Sequence, residues 1–342
     1  MQNQRCHHPR GVDKPFACGL GQARRSDTQT LRSGNVKQLN QPDDLANGNR
    51  GVCLAIGMFD GVHLGHQQVL RQAVNDAARH EALAVAVTFD QHPANVVAPD
   101  RAPALLQTRP QRLRAIESTG IDAALVIRFD SAFSQKPGET FVRELFDGFG
   151  SIHSICVGSN FTFGHRRDGN VESLLALGQA LGFHVHGLQA VTLDGQAVSS
   201  TRIRDAVREG RLDDAGQMLG RNFAIEGTVI KGDGKGRDIG FATANIDTSG
   251  RVLPPNGVYA VHAELSQATH RAVLNIGVRP TLAKPEPSLQ VEAHLLDYDG
   301  ELYGKQLRVE FVDRLREEKR FDSVKELTTQ ISRDIERAQT LF

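Results

Sequence analysis

The chain has 342 residues, with 40 basic and 40 acidic side chains and no net formal charge. That length exceeds one comfortable hydrophobic core, so two domains are expected. Balanced charge argues against bulk binding of nucleic acid or a membrane surface and leaves room only for local anion sites. No apolar run approaches transmembrane length. Residues 1–50 are rich in Gln, Asn, Arg and Gly, show no periodicity and lack a signal-peptide stretch, so a disordered extension is expected there. Val36 is a candidate alternative initiator. The histidines and cysteines of this segment match no zinc spacing. Cys6, Cys18, Cys53 and Cys156 are scattered; Cys53 and Cys156 fall in apolar runs and read as core thiols, a usage that fits a cytoplasmic location. The sequence carries no signal for an oligomeric state.

From residue 52 to about 190, short apolar runs alternate with helical patterns. Strands are predicted at 52–57, 83–89, 123–129, 152–157 and 183–188, with helices at 66–80, 110–118, 139–147 and 171–181. This alternation predicts an α/β fold, a doubly wound parallel sheet. Residues 201–219 read as one or two polar helices. After Arg221 the pattern becomes strands at 223–230, 258–265, 270–276, 289–296 and 307–312, then a helix over 322–341. Strands followed by one helix predict a small antiparallel barrel or sandwich. The expected division is 1–50 extension, 51–200 first domain, 201–221 helical connector and 222–342 second domain.

Residues 57–66 read Gly-Met-Phe-Asp-Gly-Val-His-Leu-Gly-His, between a buried strand and a helix. Gly57, Gly61 and Gly65 allow close backbone approach to a ligand. The helix start offers unpaired N–H groups and a positive dipole end, which suit a phosphate. His63 and His66 add donors that can become cationic beside that anion. Phe59 and Asp60 sit in the turn, where Asp60 orients the loop or a substrate hydroxyl. Thr88-Phe89-Asp90-Gln91-His92-Pro93 is either an ordinary turn or part of the same site. Asn160 with Phe161 and Phe163 suits a flat heterocycle, the rings for packing and the amide for hydrogen bonds; one ring can equally be core. Ser199, Ser200, Thr201, Arg202 and Arg204 open the connector as an anion cradle, beyond what a plain N-cap explains.

In the second domain a Gly-rich loop carries Gly232 and Gly234; a flexible charged hairpin is its bland explanation. Thr243 and Asn245, two apart on an extended chain, share a face, and their oxygens suit Mg²⁺ that also takes phosphate oxygens and water. Glu292 alone reads as an outward residue of an alternating strand.

The string Phe59-Asp60-Gly61-Val62-His63-Leu64-Gly65-His66 resembles the nucleotidyltransferase superfamily with a His-x-Gly-His signature, in its riboflavin kinase/FAD synthetase branch. Ser199-Ser200-Thr201-x-x-Arg204, the Thr-Phe-x-x-His-Pro element and Gly240-Phe241-Ala242-Thr243-Ala244-Asn245 are similar to that family's elements. So are Asn275–Thr281, Val291–Asp297 and the tail Leu315-Arg316-x-x-x-Arg320-Phe321-Asp322. The resemblance covers about residues 50 to 342.

It implies a Rossmann-like FMN adenylyltransferase domain followed by a riboflavin kinase barrel. The substrates would be riboflavin, FMN and ATP, the products FMN and FAD, with Mg²⁺ and no tightly held organic cofactor. His63, His66 and Arg204 would serve adenylyl transfer. Gly57, Phe59, Asp60, Gly65, Ser199, Ser200, Thr201, Gly232, Gly234 and Thr243 would bind ATP at the two sites. Asn160 and Phe161 would lie at the flavin, Thr243 and Asn245 would hold Mg²⁺, and Glu292 would be the kinase base. Arg316 would either contact product phosphate or start a helix. Ala242 departs from the family's Pro. Two rivals stand: a nucleotidyltransferase with another acceptor and an unrelated barrel, and a flavin-binding regulator without catalysis. The set Thr243, Asn245 and Glu292 argues against the first, and retention of His63, His66, Arg204 and Glu292 against the second.

Overall fold

The computed structural model describes residues 36–45, 50–232, 234–266, 268–279 and 288–342. Residues 1–35 and 46–49 of the expected 1–50 extension, and the Pro280-Thr281 end of one family element, lie outside these.

Among the described residues, six parallel strands form the first sheet: β1 (Lys37–Leu39), β2 (Val52–Ile56), β3 (Leu83–Phe89), β4 (Ala123–Ile127), β5 (Ile152–Gly158) and β6 (His184–Leu188). Their spatial order is β1-β4-β3-β2-β5-β6. The chain builds outward from β2 through β3 and β4, then crosses to the other side of β2 with β5. The switch point therefore lies between β2 and β5, where such sheets open a crevice at their carboxyl ends.

Both faces are covered. Cys53, Ala55, Ala86 and Cys156 pack against α1 (Leu64–Arg79), through Val69, Leu70 and Ala73, and α2 (Arg109–Glu117), through Ile116. Leu54, Ile56, Val87 and Val157 pack against α3 (Gly138–Phe149) and α4 (Val171–Leu181). Burial on both sides explains why these strands read as continuous apolar runs.

β1 corrects the sequence expectation, because it falls inside the segment read as an extension. Its three residues carry no strand pattern, yet Lys37 to Leu39 pair with Ala123 to Leu125 at the sheet edge and Leu39 is fully buried. Pairing with a preformed edge, not local propensity, makes this strand.

The connector helices α5 (Ser200–Arg208) and α6 (Leu212–Leu219) are amphipathic rather than polar. Ile203, Ala206, Val207, Ala215 and Met218 are wholly buried, in one cluster with the barrel's Phe223, Ile225 and Val261.

The barrel closes as β7-β8-β11-β10-β9-β12, all antiparallel: β7 (Ala224–Ile230), β8 (Ala244–Ile246), β9 (Gly257–Leu265), β10 (Ala268–Arg279), β11 (Ser288–Leu295) and β12 (Gln306–Arg316). The C-terminal helix α7 (Val324–Gln339) lies against its outer face. Arg316 latches that helix: its guanidinium is bidentate to Asp334, at 2.7–3.0 Å, with Gln330 also on the carboxylate at 2.8 Å.

Candidate active sites

The first site forms at the switch point. Gly57 ends β2, its N–H bonded to Val87, and the chain then turns through Phe59 and Val62 at φ +53° and +40°. Gly61 sits at +88°, a value that favours glycine. His63 caps α1, its Nδ1 accepting the His66 backbone N–H at 3.3 Å. That bond leaves the His63 proton on Nε2. The two imidazoles stack at 3.6 Å, and buried Phe59 meets His66 edge-on at 5.4 Å. Phe59 thus supports His66 from beneath. Gly65 lies in the first helical turn, where a side chain would press on the His63 ring.

Asp60 is buried and spends its carboxylate on the N–H groups of Leu106 and Gln107 and on the Arg204 guanidinium, 2.6 Å away. Arg204 also donates from Nε to the Ala104 carbonyl at 2.7 Å. Ser199 caps α5 by accepting the Arg202 N–H, and Ser200 donates to the Asp60 carbonyl at 2.8 Å. Arg202 turns away, to the carbonyls of Leu193 and Gln196. Thr201 is exposed. The two arginines expected to open an anion cradle therefore both bond to protein groups. Thr88 holds the Met58 carbonyl at 3.1 Å, and His92 lies close enough to feel Arg204 and Asp60.

The protein around them pushes both motif histidines towards the neutral form. Burial pushes His63 down to about 4, helped by Arg221 and Arg204. Burial, with His63 and Arg204 nearby, holds His66 well below the usual histidine value. His63 binds no proton in the folded state until near pH 4, whereas unfolded it takes one below 6.5. The stability it contributes is therefore full above pH 6.5 and lost as pH falls towards 4. The urea midpoint should drop across that window, and drop less in His63→Gln; equal slopes would contradict the assignment.

Asn160 is exposed in the loop after β5, across the switch point from the motif. Phe161 stacks on Phe163 at 5.4 Å, and Phe163 is the ring that belongs to the core.

One residue escaped sequence reasoning. Arg112 of α2 is almost completely buried, bonded to the Phe89 carbonyl, 3.8 Å from Met58 Sδ, and pushed down to about 10 by burial. It stands one helical turn before buried Ile116, so the only signal is an arginine on an apolar face.

The second site is a cavity of about 640 Å³ between the barrel and α7. Asn245 pairs in register with Glu292, and Glu292 with Asn275, so three polar side chains form a row across β8, β11 and β10. Their neighbours Ala244, Ala293 and Leu274 point inward and are buried. Thr243 lies on the same face as Asn245. All four line the cavity, opposite Phe321, Val324, Leu327 and Ile331. Glu292 thus does face outward from the barrel, but into this cavity. Gly232 allows close approach, since a side chain there would come within 2.1 Å of the Asn245 amide. Gly234, at φ +75°, precedes a short helix, Lys235–Asp238, at the cavity mouth.

A family model of FAD synthetase matches residues 45–202, and one of riboflavin kinase matches residues 219–342. The chain belongs to the bifunctional riboflavin kinase/FMN adenylyltransferase family. Curated proteins of that name include those of Escherichia coli (strain K12), 36% identical over 85% of this chain and 93% of the relative, and Pseudomonas fluorescens, 38% identical over 86% and 94%. That of Bacillus subtilis is 34% identical over 84% and 92%. A crystal structure described as a macrolide-efflux protein from Streptococcus pneumoniae superposes with a TM-score of 0.75 at 27% identity, covering 89% of this chain and 98% of that one. No helix among the described residues is long and apolar enough to cross a membrane. The enzyme phosphorylates riboflavin with ATP to give FMN, then adenylylates FMN with ATP to give FAD and pyrophosphate.

Proposed function

We propose that the two activities occupy the two sites above: adenylyl transfer at the β2/β5 switch point and riboflavin phosphorylation in the barrel cavity. The observation that carries the second assignment is the register row. It sets one carboxylate, Glu292, beside the hard oxygens of Asn245 and Thr243 and opposite an apolar wall. A ribityl hydroxyl must lose its proton as it attacks the γ-phosphorus, and Glu292 is the group placed to accept it. The apolar wall suits the isoalloxazine rings.

Among the described residues, no cluster of His, Cys, Asp and Glu could hold a metal by itself. Thr243 and Asn245 fit Mg²⁺, an ion that takes one or two protein oxygens and completes its shell with phosphate and water. When bound it would neutralise phosphate charge. Gly232 and Gly234 keep the backbone beside Asn245 open for the nucleotide.

At the first site the nucleophile, the FMN phosphate, is already an anion, so no base is required. The work is positioning and charge stabilisation. His63 offers an Nε2–H donor. His66 has a buried Nδ1 without a partner among the described residues, which leaves Nε2 as its ligand-facing nitrogen. Gly57, Gly65 and the start of α1 supply backbone approach for ATP, and Arg204 the nearby fixed charge. Ser199, Ser200 and Thr201 border the same crevice, and Asn160 and Phe161 receive the flavin. Resolving FMN and FAD made from riboflavin or from supplied FMN, in variants of each site, tests the assignment. Loss of both products from a folded single-site variant would sink it. The buried free thiols Cys53 and Cys156 support a cytoplasmic location.

Ala242 is exposed, and its carbonyl accepts a hydrogen bond from His294 Nδ1 at 2.7 Å. A proline keeps that carbonyl and fixes φ before Thr243. Ala242→Pro should therefore leave the apparent MgATP affinity of the kinase unchanged or tighter. A folded variant without kinase activity would undo the placement of Thr243 and Asn245.

A further inference from the structure

The turn that presents His63 is strained. Phe59 and the β-branched Val62 both hold positive φ, a conformation that costs on the order of 1–3 kcal/mol each and persists only where the surroundings impose it. Two side chains hold the Gly61–Val62 end of this turn. Gln67 Nε2 donates to the Val62 carbonyl at 3.0 Å and to the Leu219 carbonyl at 2.8 Å. Arg221 donates from Nη1 to the same two carbonyls, at 3.2 and 3.1 Å, and from Nη2 to the Gly61 carbonyl at 2.6 Å.

Arg221 is half-buried and has no carboxylate partner among the described residues. A desolvated guanidinium bound only to carbonyls is an expensive way to hold a loop. Its rigid fork reaches three carbonyls from two nitrogens, a fixed geometry that the flexible lysine ammonium reproduces only in part. Arg221 sits between the end of α6 and the start of β7, so the turn is gripped from the barrel side. A cavity of about 370 Å³ lies beside the grip, lined by Gly61, Val62, Gln67, Arg221 and Arg308. Shortening Arg221 therefore enlarges a polar space and leaves the apolar cores untouched.

We propose that Arg221, together with Gln67, is a positioning residue for adenylyl transfer, clamping the Gly61 and Val62 carbonyls so that His63 and His66 stay aimed at the FMN adenylyltransferase site. This rests on the assignment of those histidines to that site.

The test uses the full-length enzyme carrying Arg221→Ala, Arg221→Lys, Gln67→Ala, the double Arg221→Ala/Gln67→Ala, or His66→Ala. For each, kcat and KM are measured for FAD formation from FMN, with riboflavin phosphorylation as the fold control. Arg221→Ala should lower kcat for FAD formation on the order of 10–10²-fold, the scale of a displaced reacting group. KM should change little and riboflavin phosphorylation not at all. Arg221→Lys should recover part of the loss. The double variant should fall short of the product of the singles, because the two residues share two acceptors. An unchanged kcat in Arg221→Ala, or an equal fall in both reactions without recovery in Arg221→Lys, would overturn the clamp. If His66→Ala lowers kcat for FAD formation and Arg221→Ala leaves it unchanged, the clamp alone fails. If neither does, the site assignment fails and the clamp with it.

Discussion

Glu292→Gln should stall on riboflavin, losing on the order of 10²–10⁴ in rate, yet convert supplied FMN to FAD at near-normal speed. Gln keeps the shape of Glu292 and its capacity to accept hydrogen bonds, and removes the basic oxygen. The register row makes the substitution local: Asn245 and Asn275 flank it on β8 and β10, and the inward-facing Ala293 beside it is untouched. Folding should therefore survive, and the adenylyltransferase reaction serves as the control. That reaction needs no deprotonated hydroxyl, because its nucleophile is a phosphate. Two assays on one purified variant decide the matter. Normal FMN production from riboflavin would make Glu292 a strand residue that merely lines the cavity.

Sequence patterning revealed the elements whose stability is written locally. Apolar runs such as 83–89 and helix signals such as Thr108 before Arg109–Glu117 give a strand and a capped helix at nearly the expected bounds. What stayed hidden depends on partners far along the chain. Lys37–Leu39 is a strand only because β4 offers an edge. Residues 201–219 look polar until the barrel supplies a surface for Ile203, Ala206 and Met218. Arg112 and Arg114 are indistinguishable as letters on one helix. Yet Arg112 is buried behind the first motif, while Arg114 reaches Glu226 of the barrel.

The candidate sites show the same division. The motif at 57–66 reads as a phosphate-binding turn in the sequence, but the downward shift of its histidines comes from burial and from Arg204, with Arg221 acting on His63, none of which the motif displays. The network that ties Arg204 to Asp60 and Ala104 was equally invisible, because its members are distant in sequence. In the barrel, Thr243 and Asn245 share a face by simple alternation. Placing Glu292 opposite Asn245 required the register of two strands, which no local pattern encodes.

His66→Ala should cripple FAD formation, by on the order of 10²–10³ in rate, the cost of losing one preorganised donor at developing phosphate charge. FMN formation from riboflavin should persist. His66 is the better probe of this site than Arg204. Removing Arg204 strands the buried Asp60 carboxylate, and an orphaned buried charge costs about 3–5 kcal/mol of stability; lost activity would then be ambiguous. His66 carries no such burden. Its backbone N–H, not its ring, caps against His63 Nδ1, so the start of α1 survives the substitution. What disappears is the imidazole between His63 and Phe59, and with it one neutral donor. Asn245, Asn275 and Glu292 line a cavity whose lining does not include His66, which is why the two reactions should separate. Measuring both in the same preparation distinguishes the outcomes. Selective loss of FAD identifies His66 with the transfer step. Equal loss of both would mean that the switch-point crevice and the barrel cavity do not act as separate centres.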